Sequence, residues 1–146
     1  MPKADEIDTY IRTINTVSHK LKKYVNAQLK DLGLTSSTYF FVLKVGERGQ
    51  LSQDELFNLI HLNPSNITRG VDRLIKLGYM SKEQSATDAR MKMLKLTKLG
   101  KQKYHQLVNR LPTINGFLVD SLTANQVNDF KQIMKNMETN LDSLIK

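Results

Sequence analysis

Hydrogen-bonding and cationic side chains recur at helical spacing in segment 63–78. They are Ser65, Asn66, Thr68, Arg69 and Arg73. The apolar residues of this segment follow the same period and predict one buried stripe: Ile67, Val71, Leu74 and Ile75. Amide, hydroxyl and guanidinium groups on an exposed helix face can bind base edges and phosphates in the major groove. The segment therefore predicts a helix that reads double-stranded DNA.

Both ends of this helix are marked in the sequence. Asn63 is a suitable N-cap, and Pro64 fits the first turn because the N–H group that it lacks would have no helical partner there. Gly78 can adopt the left-handed conformation that ends a helix. The sequence thus predicts a helix of about four turns, bounded on both sides.

Positive charge is concentrated in the same region. The chain of 146 residues has a net charge of +8, and residues 63–105 hold ten Lys or Arg against three acids, which leaves +1 for the rest. Such a patch favours a polyanionic partner through counterion release and long-range attraction. A membrane surface would also require exposed bulky apolar groups on that face, and the core accounts for those present.

Two amphipathic helices are predicted ahead of this segment. The first covers residues 7–29, and Gly33 ends it. Thr35 is the predicted cap of a second helix, which stops near Gly46 or Gly49. Its apolar residues are Tyr39, Phe40, Val42, Leu43 and Val45.

The segments on either side complete a winged helix-turn-helix pattern. A capping box at residues 52–55 opens a short third helix, so that two short helices follow each other and the second bears the basic face. Residues 79–83 and 91–96 then predict two strands that form a hairpin. Arg90 lies near the tip of that hairpin, where the negative potential of a minor groove would attract it.

Two further helices are predicted after the hairpin. Thr97 caps the fifth helix, Pro112 kinks or ends it, and a capping box at residues 123–126 opens the last helix. The first helix and the last two carry apolar stripes longer than the small lobe can cover, which predicts a two-fold homodimer. Its two reading helices would lie about 34 Å apart, one turn of DNA.

The predicted fold class is mainly α with a minor β part. A single domain spans residues 1–146, in which residues 34–97 form the DNA-binding lobe. Residues 5–31 and 98–146 are the predicted dimerisation helices. The β part is the two-stranded wing hairpin.

The composition argues against catalysis, metal binding and membrane insertion. The chain has no cysteine, which excludes disulfides and thiol chemistry. His19, His61 and His105 lie on different predicted helices without metal-ligand spacing. No nucleophile elbow, phosphate-binding glycine loop, signal-peptide core or membrane-spanning apolar run occurs. We therefore predict a cytoplasmic protein that is not an enzyme and carries no metal or cofactor.

These motifs together resemble the MarR family of bacterial winged helix-turn-helix transcriptional regulators. The similarity follows almost the whole chain in the right order. It is carried by Gly33-Leu34-Thr35, the run 39–43, Thr68-Arg69, Asp72-Arg73-Leu74, Gly78, Asp88-x-Arg90 and Leu96-Thr97-x-x-Gly100. The resemblance implies an obligate homodimer that binds a pseudo-palindromic operator, most often as a repressor released by a small ligand.

The resemblance also implies roles for individual side chains. Ser65, Asn66, Thr68 and Arg69 would face bases or adjacent phosphates, and Arg73 would lie further along the groove or hold the backbone. Arg90 would enter the minor groove, and Asp88 would orient it or its neighbours through a salt bridge inside the wing. The chain departs from the family at Gly70, where a larger residue is usual. This glycine either permits a close approach of the backbone or is simply tolerated.

An effector pocket is implied where the first, second and fifth helices meet the reading lobe. The residues that could supply ring faces and a polar handle for an aromatic or phenolic effector are His19, Tyr24, Tyr39 and Phe40. The alternative is that these four are ordinary core and interface side chains.

Two other functions are compatible with the pattern. A basic architectural protein would coat or bend DNA without a fixed site. A helical protein–protein adaptor would use the dimerisation helices, and its basic lobe would be incidental.

Overall fold

Helices make up most of the computed structural model, which describes residues 3, 6, 8–60 and 63–145. A three-stranded antiparallel sheet accompanies them, so the predicted fold class, mainly α with a minor β part, is confirmed. The elements are α1 Thr9–Leu29, α2 Tyr39–Arg48, β1 Leu51–Ser52, α3 Gln53–Ile60, α4 Pro64–Lys76, β2 Met80–Gln84, β3 Lys92–Leu96, α5 Lys98–Leu118 and α6 Ala124–Leu144.

The turn between α1 and α2 differs from the prediction. After a 3₁₀ turn at Lys30–Leu32, Gly33 has a φ of 72°, which glycine adopts without strain and which ends the helical segment as predicted. Thr35 does not cap α2, because that helix begins at Tyr39. The Thr35 N–H donates instead to Thr38 Oγ1 at 3.0 Å, so that Thr35 opens a turn ahead of the helix.

The wing hairpin is present, and it belongs to a larger sheet than predicted. Strands β2 and β3 pair with Met80 opposite Leu96 and Gln84 opposite Lys92. Strand β1 pairs with the other edge of β3, in the order β1-β3-β2. Strand β1 was not predicted, because two residues are too few to display an alternating pattern.

The buried core of the lobe comes from α2, α3, α4 and the sheet. Its least exposed side chains in these elements are Phe41, Val42, Val45, Leu51, Leu56, Ile67, Val71, Leu74 and Leu94. In α2 the predicted apolar set includes Tyr39 and Phe40 and omits Phe41, yet Phe41 is 1% exposed, whereas Tyr39 and Phe40 are half-buried. Three consecutive aromatic residues do not reveal by themselves which ring points inward.

The predicted helix caps are largely confirmed. Ser52 Oγ accepts the Glu55 N–H at 3.0 Å at the start of α3, and Thr97 Oγ1 accepts the Gly100 N–H at 3.0 Å at the start of α5. Thr123 forms a complete capping box with Gln126 at the start of α6.

Pro112 does not end α5, which continues to Leu118. The proline lacks one N–H donor, while the residues after it retain theirs, so the helical ladder can resume. The chain divides into two compact units between Leu111 and Pro112. None of the described helices combines the length and the apolar character needed to cross a membrane.

Candidate nucleic-acid interface

The start of α4 is stabilised by the residues that the sequence marked. Asn63 Oδ1 accepts the Ser65 N–H at 2.9 Å and the Ser65 hydroxyl at 2.7 Å, and Pro64 occupies the first turn. Because the cap and the proline already restrict the first turn, it loses little further conformational entropy when it binds a partner. The end of α4 that would enter a groove first is therefore preorganised.

The other end of α4 is terminated by a glycine in the left-handed conformation. Gly78 has a φ of 81°, and its N–H donates to the Ile75 carbonyl while the Tyr79 N–H donates to the Leu74 carbonyl, both at 2.9 Å. This is the Schellman motif. The buried Tyr79 hydroxyl then donates to the Leu32 carbonyl at 2.7 Å, and burial raises the pKa of this phenol.

The two faces of α4 are divided as the sequence predicts. Ile67, Val71 and Leu74 are at most 2% exposed. The predicted DNA-contacting residues of this helix are all exposed: Ser65, Asn66, Thr68, Arg69 and Arg73. The structure therefore brings these five side chains to one outer surface, which we call the α4 polar face.

Contacts within the α4 polar face orient two of its members. Arg69 Nη2 donates to Asn66 Oδ1, one turn earlier in the helix. The Thr68 hydroxyl donates to the Pro64 carbonyl at 3.1 Å, and Gln53 Nε2 of α3 approaches Thr68 Oγ1 at 3.5 Å. Gln53 was not among the predicted site residues. In the sequence, only its position at the start of the helix before α4 could have indicated that Gln53 lies near the α4 polar face.

The wing presents Arg90 at its tip. The Arg90 side chain is 93% exposed, its Nε lies 3.6 Å from Asp88 Oδ1, and its backbone N–H donates to the same oxygen at 3.0 Å. Ser85 closes the loop, because its N–H donates to the Met91 carbonyl at 2.8 Å and its hydroxyl oxygen accepts the Asp88 N–H at 3.3 Å. Asp88 thus contacts both the side chain and the backbone N–H of Arg90, which is consistent with the salt bridge expected inside the wing.

An open cavity of about 710 Å³ lies between α1, the turn before α2, and α4. Its apolar lining comes from Leu21, Val25 and Phe41, and seven further side chains supply hydroxyl or amide groups. Lys22, Arg69 and Arg73 supply positive charge, and no acidic residue is among its lining residues. The cavity therefore combines an apolar wall with an electropositive rim that includes two residues of the α4 polar face.

Tyr39 is the one predicted pocket residue that lines this cavity. The Phe40 ring lies edge-on to the Tyr39 ring, and the two ring centroids are 6.3 Å apart. Lys44 Nζ lies over the Phe40 ring, 5.1 Å from its centroid. His19 is exposed on α1, and Tyr24 is half-buried on the same helix. His19, Tyr24 and Phe40 are not among the residues that line this cavity.

No metal site emerges from the described ranges of the chain, where no three His, Cys, Asp or Glu residues cluster. His61 lies outside those ranges. The predicted absence of a metal stays a prediction.

Comparison with known proteins shows similarity to one family. The model of the MarR family matches residues 34–92, which include α2 to α4, β2 and the wing loop as far as the start of β3. A Bacillus subtilis protein, the uncharacterized HTH-type transcriptional regulator YwoH, is 29% identical over 66% of this chain and 70% of its own. The multiple antibiotic resistance protein MarR of Escherichia coli is 25% identical over 91% of this chain and 93% of its own.

Solved structures share the fold over nearly the whole chain. A mutant of E. coli MarR complexed with operator DNA has a TM-score of 0.80 at 24% identity and covers 94% of this chain and 99% of its own. The organohalide-sensing regulator RdhR-CbdbA1625, bound to 2,4-dichlorophenol, has a TM-score of 0.88 at 17% identity and covers 99% and 89%. With its motifs, fold and relatives in agreement, this chain is similar to the MarR family, whose members are transcriptional regulators and not enzymes.

Proposed function

We propose that the protein is a homodimeric repressor whose α4 enters the major groove of a pseudo-palindromic operator. The observation that carries this proposal is the division of α4 into a buried apolar stripe and an exposed polar face. The solved complex of E. coli MarR with operator DNA supports the same use of the fold.

Each predicted contact residue has a role in this proposal. Ser65, Asn66 and Thr68 hydrogen-bond to base edges or adjacent phosphates from the first turns of α4. Arg69 reads a base, and Arg73, one turn further along, binds the groove or the backbone. Arg90 enters the minor groove from the wing while Asp88 holds its backbone in place.

Exposed apolar residues support the homodimer. On α1 they are Tyr10, Ile11, Ile14 and Val17, and on α6 they are Phe130, Ile133, Met134, Leu141 and Leu144. Both sets repeat at intervals of three and four residues, so each helix displays one apolar stripe. Stripes of this length are stable in water when a second copy of the chain covers them.

Selection of genomic fragments by the purified protein tests the proposal. Fragments bound at moderate salt are sequenced, and the expected outcome is enrichment of one inverted-repeat motif. Binding of all duplexes without enrichment would instead favour the architectural protein. Failure to retard any duplex in a gel would favour the adaptor.

We also propose that an aromatic or phenolic effector with an anionic group binds the cavity at Tyr39. The ring of such a ligand would pack on Leu21 and Phe41, and its charge would lie near Lys22 and Arg73. The similar RdhR fold was solved with 2,4-dichlorophenol, a phenol. The pocket roles of His19, Tyr24 and Phe40 stay predictions.

Benzoate and benzyl alcohol separate the effect of charge from that of the ring. Benzoate should weaken operator binding measured by fluorescence anisotropy, and benzyl alcohol at the same concentration should act far less, because only the anion pairs with the cationic rim. Lys22→Gln should reduce the benzoate effect, whereas Lys20→Gln, a neighbour on α1 outside the cavity lining, should retain it. Equal effects of the two compounds, or no effect of either, would contradict this assignment.

A further inference from the structure

Gly70 provides the space that the Phe41 ring occupies. A Cβ atom built on Gly70 would lie 2.2 Å from Phe41 Cε2, 3.0 Å from Cδ2 and 3.2 Å from Cζ. Ordinary contact begins near 3.4 Å, so any larger residue at this position requires the ring or the helix to move by more than 1 Å. Of the two explanations left open by the sequence, close approach applies, and the approaching group is a ring of α2 rather than a backbone.

The ring has little freedom to move. Phe41 is 1% exposed, and Val42 and Val45 on the same helix are fully buried, as are Val71 and Leu74 on α4. Close-packed interiors resist displacement of a buried ring, because its neighbours would have to shift with it. Part of the strain from a larger residue at position 70 would therefore pass into α4.

Position 70 lies where a displacement of α4 matters most. Arg69 precedes it directly, and Arg73 follows within one turn, both on the α4 polar face. Side chains that recognise a ligand must be held to within about 0.5 Å of their productive positions. Even half of the displacement of more than 1 Å that relieves the overlap, if taken up by α4, would exceed this tolerance.

We propose that the Phe41–Gly70 contact positions α4 for sequence reading, so that Phe41 is a positioning residue for operator discrimination. This inference rests on the proposed function. Phe41 and Gly70 both line the cavity between α1 and α4, so a ligand bound there contacts the positioning pair itself.

The test is Gly70→Ala, alone and combined with Phe41→Leu. Leucine has no counterpart of Cε2 or Cζ, so the double variant removes the closest overlap with the added methyl. Affinities for the selected operator and for a random duplex of the same length are measured by anisotropy at one salt concentration. Gly70→Ala should lower the operator-to-random ratio about tenfold or more, the size of one good base contact, and the double variant should recover most of that loss.

Random-duplex binding separates positioning from a general loss of structure. All cations remain in Gly70→Ala, so its affinity for the random duplex and the salt dependence of that affinity should stay as in the wild type. Helix propensity alone would make the alanine variant more stable. A lowered melting temperature would therefore support the overlap with the Phe41 ring on which the proposal depends, and a raised one would contradict it.

Gly46→Ala is the matched control. Its Cβ would lie 2.3 Å from Tyr104 Cδ2, an equally severe overlap between α2 and α5 that does not involve α4. This variant should lose stability and keep the operator-to-random ratio. An equal loss of the ratio in both glycine variants would overturn the proposal.

Two further outcomes would also overturn it. One is a folded Gly70→Ala variant that keeps the wild-type ratio, and the other is a double variant that discriminates no better than Gly70→Ala. If Gly70→Ala does not fold, the double variant provides the test. Because the overlap is then relieved, this variant must fold and must prefer the operator over the random duplex. A wild-type protein without operator preference would refute the proposed function instead.

Discussion

Arg69 and Lys98 represent two different uses of positive charge. Arg69 lies on the α4 polar face and donates to Asn66, which orients its guanidinium. Lys98 is the exposed first residue of α5 and lies outside the α4 polar face. A guanidinium with a defined orientation can bind a guanine edge through two hydrogen bonds, whereas a flexible ammonium attracts phosphates of any sequence.

Replacing each cation by alanine should separate these roles. Arg69→Ala should cost about 1–3 kcal/mol of operator binding and relax discrimination at one base position. Lys98→Ala should weaken operator and random duplex equally and lower the salt slope by about 1. Titrations of both duplexes over a series of salt concentrations measure both effects. Full discrimination by Arg69→Ala would rule out its base-reading role.

Among the elements, α5 is joined to the end of α1 by a charged pair. Arg110 donates from Nη1 to Asp31 Oδ1 at 2.5 Å and from Nη2 to Oδ2 at 3.0 Å, and it also donates to the Gln28 carbonyl at 2.9 Å. These hydrogen bonds from Arg110 hold the pKa of Asp31 below its usual range, and they raise the pKa of Arg110.

The lowered pKa gives this pair a defined pH dependence. A carboxyl group that is more acidic in the folded state stabilises it at pH values above the unfolded pKa, and the contribution disappears as the pH falls through the folded value. The wild type should therefore exceed Asp31→Asn in stability at neutral pH, by an amount that shrinks as the pH falls below 3.8. Urea unfolding over a pH series measures this difference.

Asp120→Asn is a suitable control because Asp120 is an exposed acid in the turn after α5. Its difference from the wild type should depend far less on pH. A difference for Asp31→Asn that persists unchanged into acid would show that Arg110 does not act through the Asp31 charge.

For the whole molecule, the exposed stripe of α6 is the feature that a single chain leaves unexplained. Ile133 is 54% exposed in its centre and Leu141 is 53% exposed further along. Pairing of such stripes would make the second copy necessary for folding and would place two α4 helices on one operator.

Ile133→Glu should disrupt the homodimer, because it would bury a carboxylate among apolar side chains. Sedimentation equilibrium should show a shift to monomer or loss of folded protein, and operator affinity should fall about a hundredfold or more, since each chain would then bind only a half-site. Asn128→Glu adds the same charge on the opposite side of α6 and should leave the dimer intact. A wild-type protein that sediments as a monomer would exclude the proposed homodimer.

Local patterns determined the features that neighbouring residues control. The cap at Asn63, the left-handed Gly78 and the 3.6-residue period of α4 were all predictable, because each depends on residues within a few positions of one another. The hairpin and the concentration of charge were predictable for the same reason. The sequence by itself therefore specified the α4 polar face and the class of partner that suits it.

Tertiary contacts decided what adjacent positions leave ambiguous. Which of three consecutive aromatic residues enters the core, and why a glycine lies within α4 at position 70, both involve the contact between Phe41 and Gly70. Strand β1 and the set of residues around the cavity likewise depend on partners distant in the chain. Sequence periodicity records the direction in which a side chain points, but only the packed chain determines which other side chain it contacts.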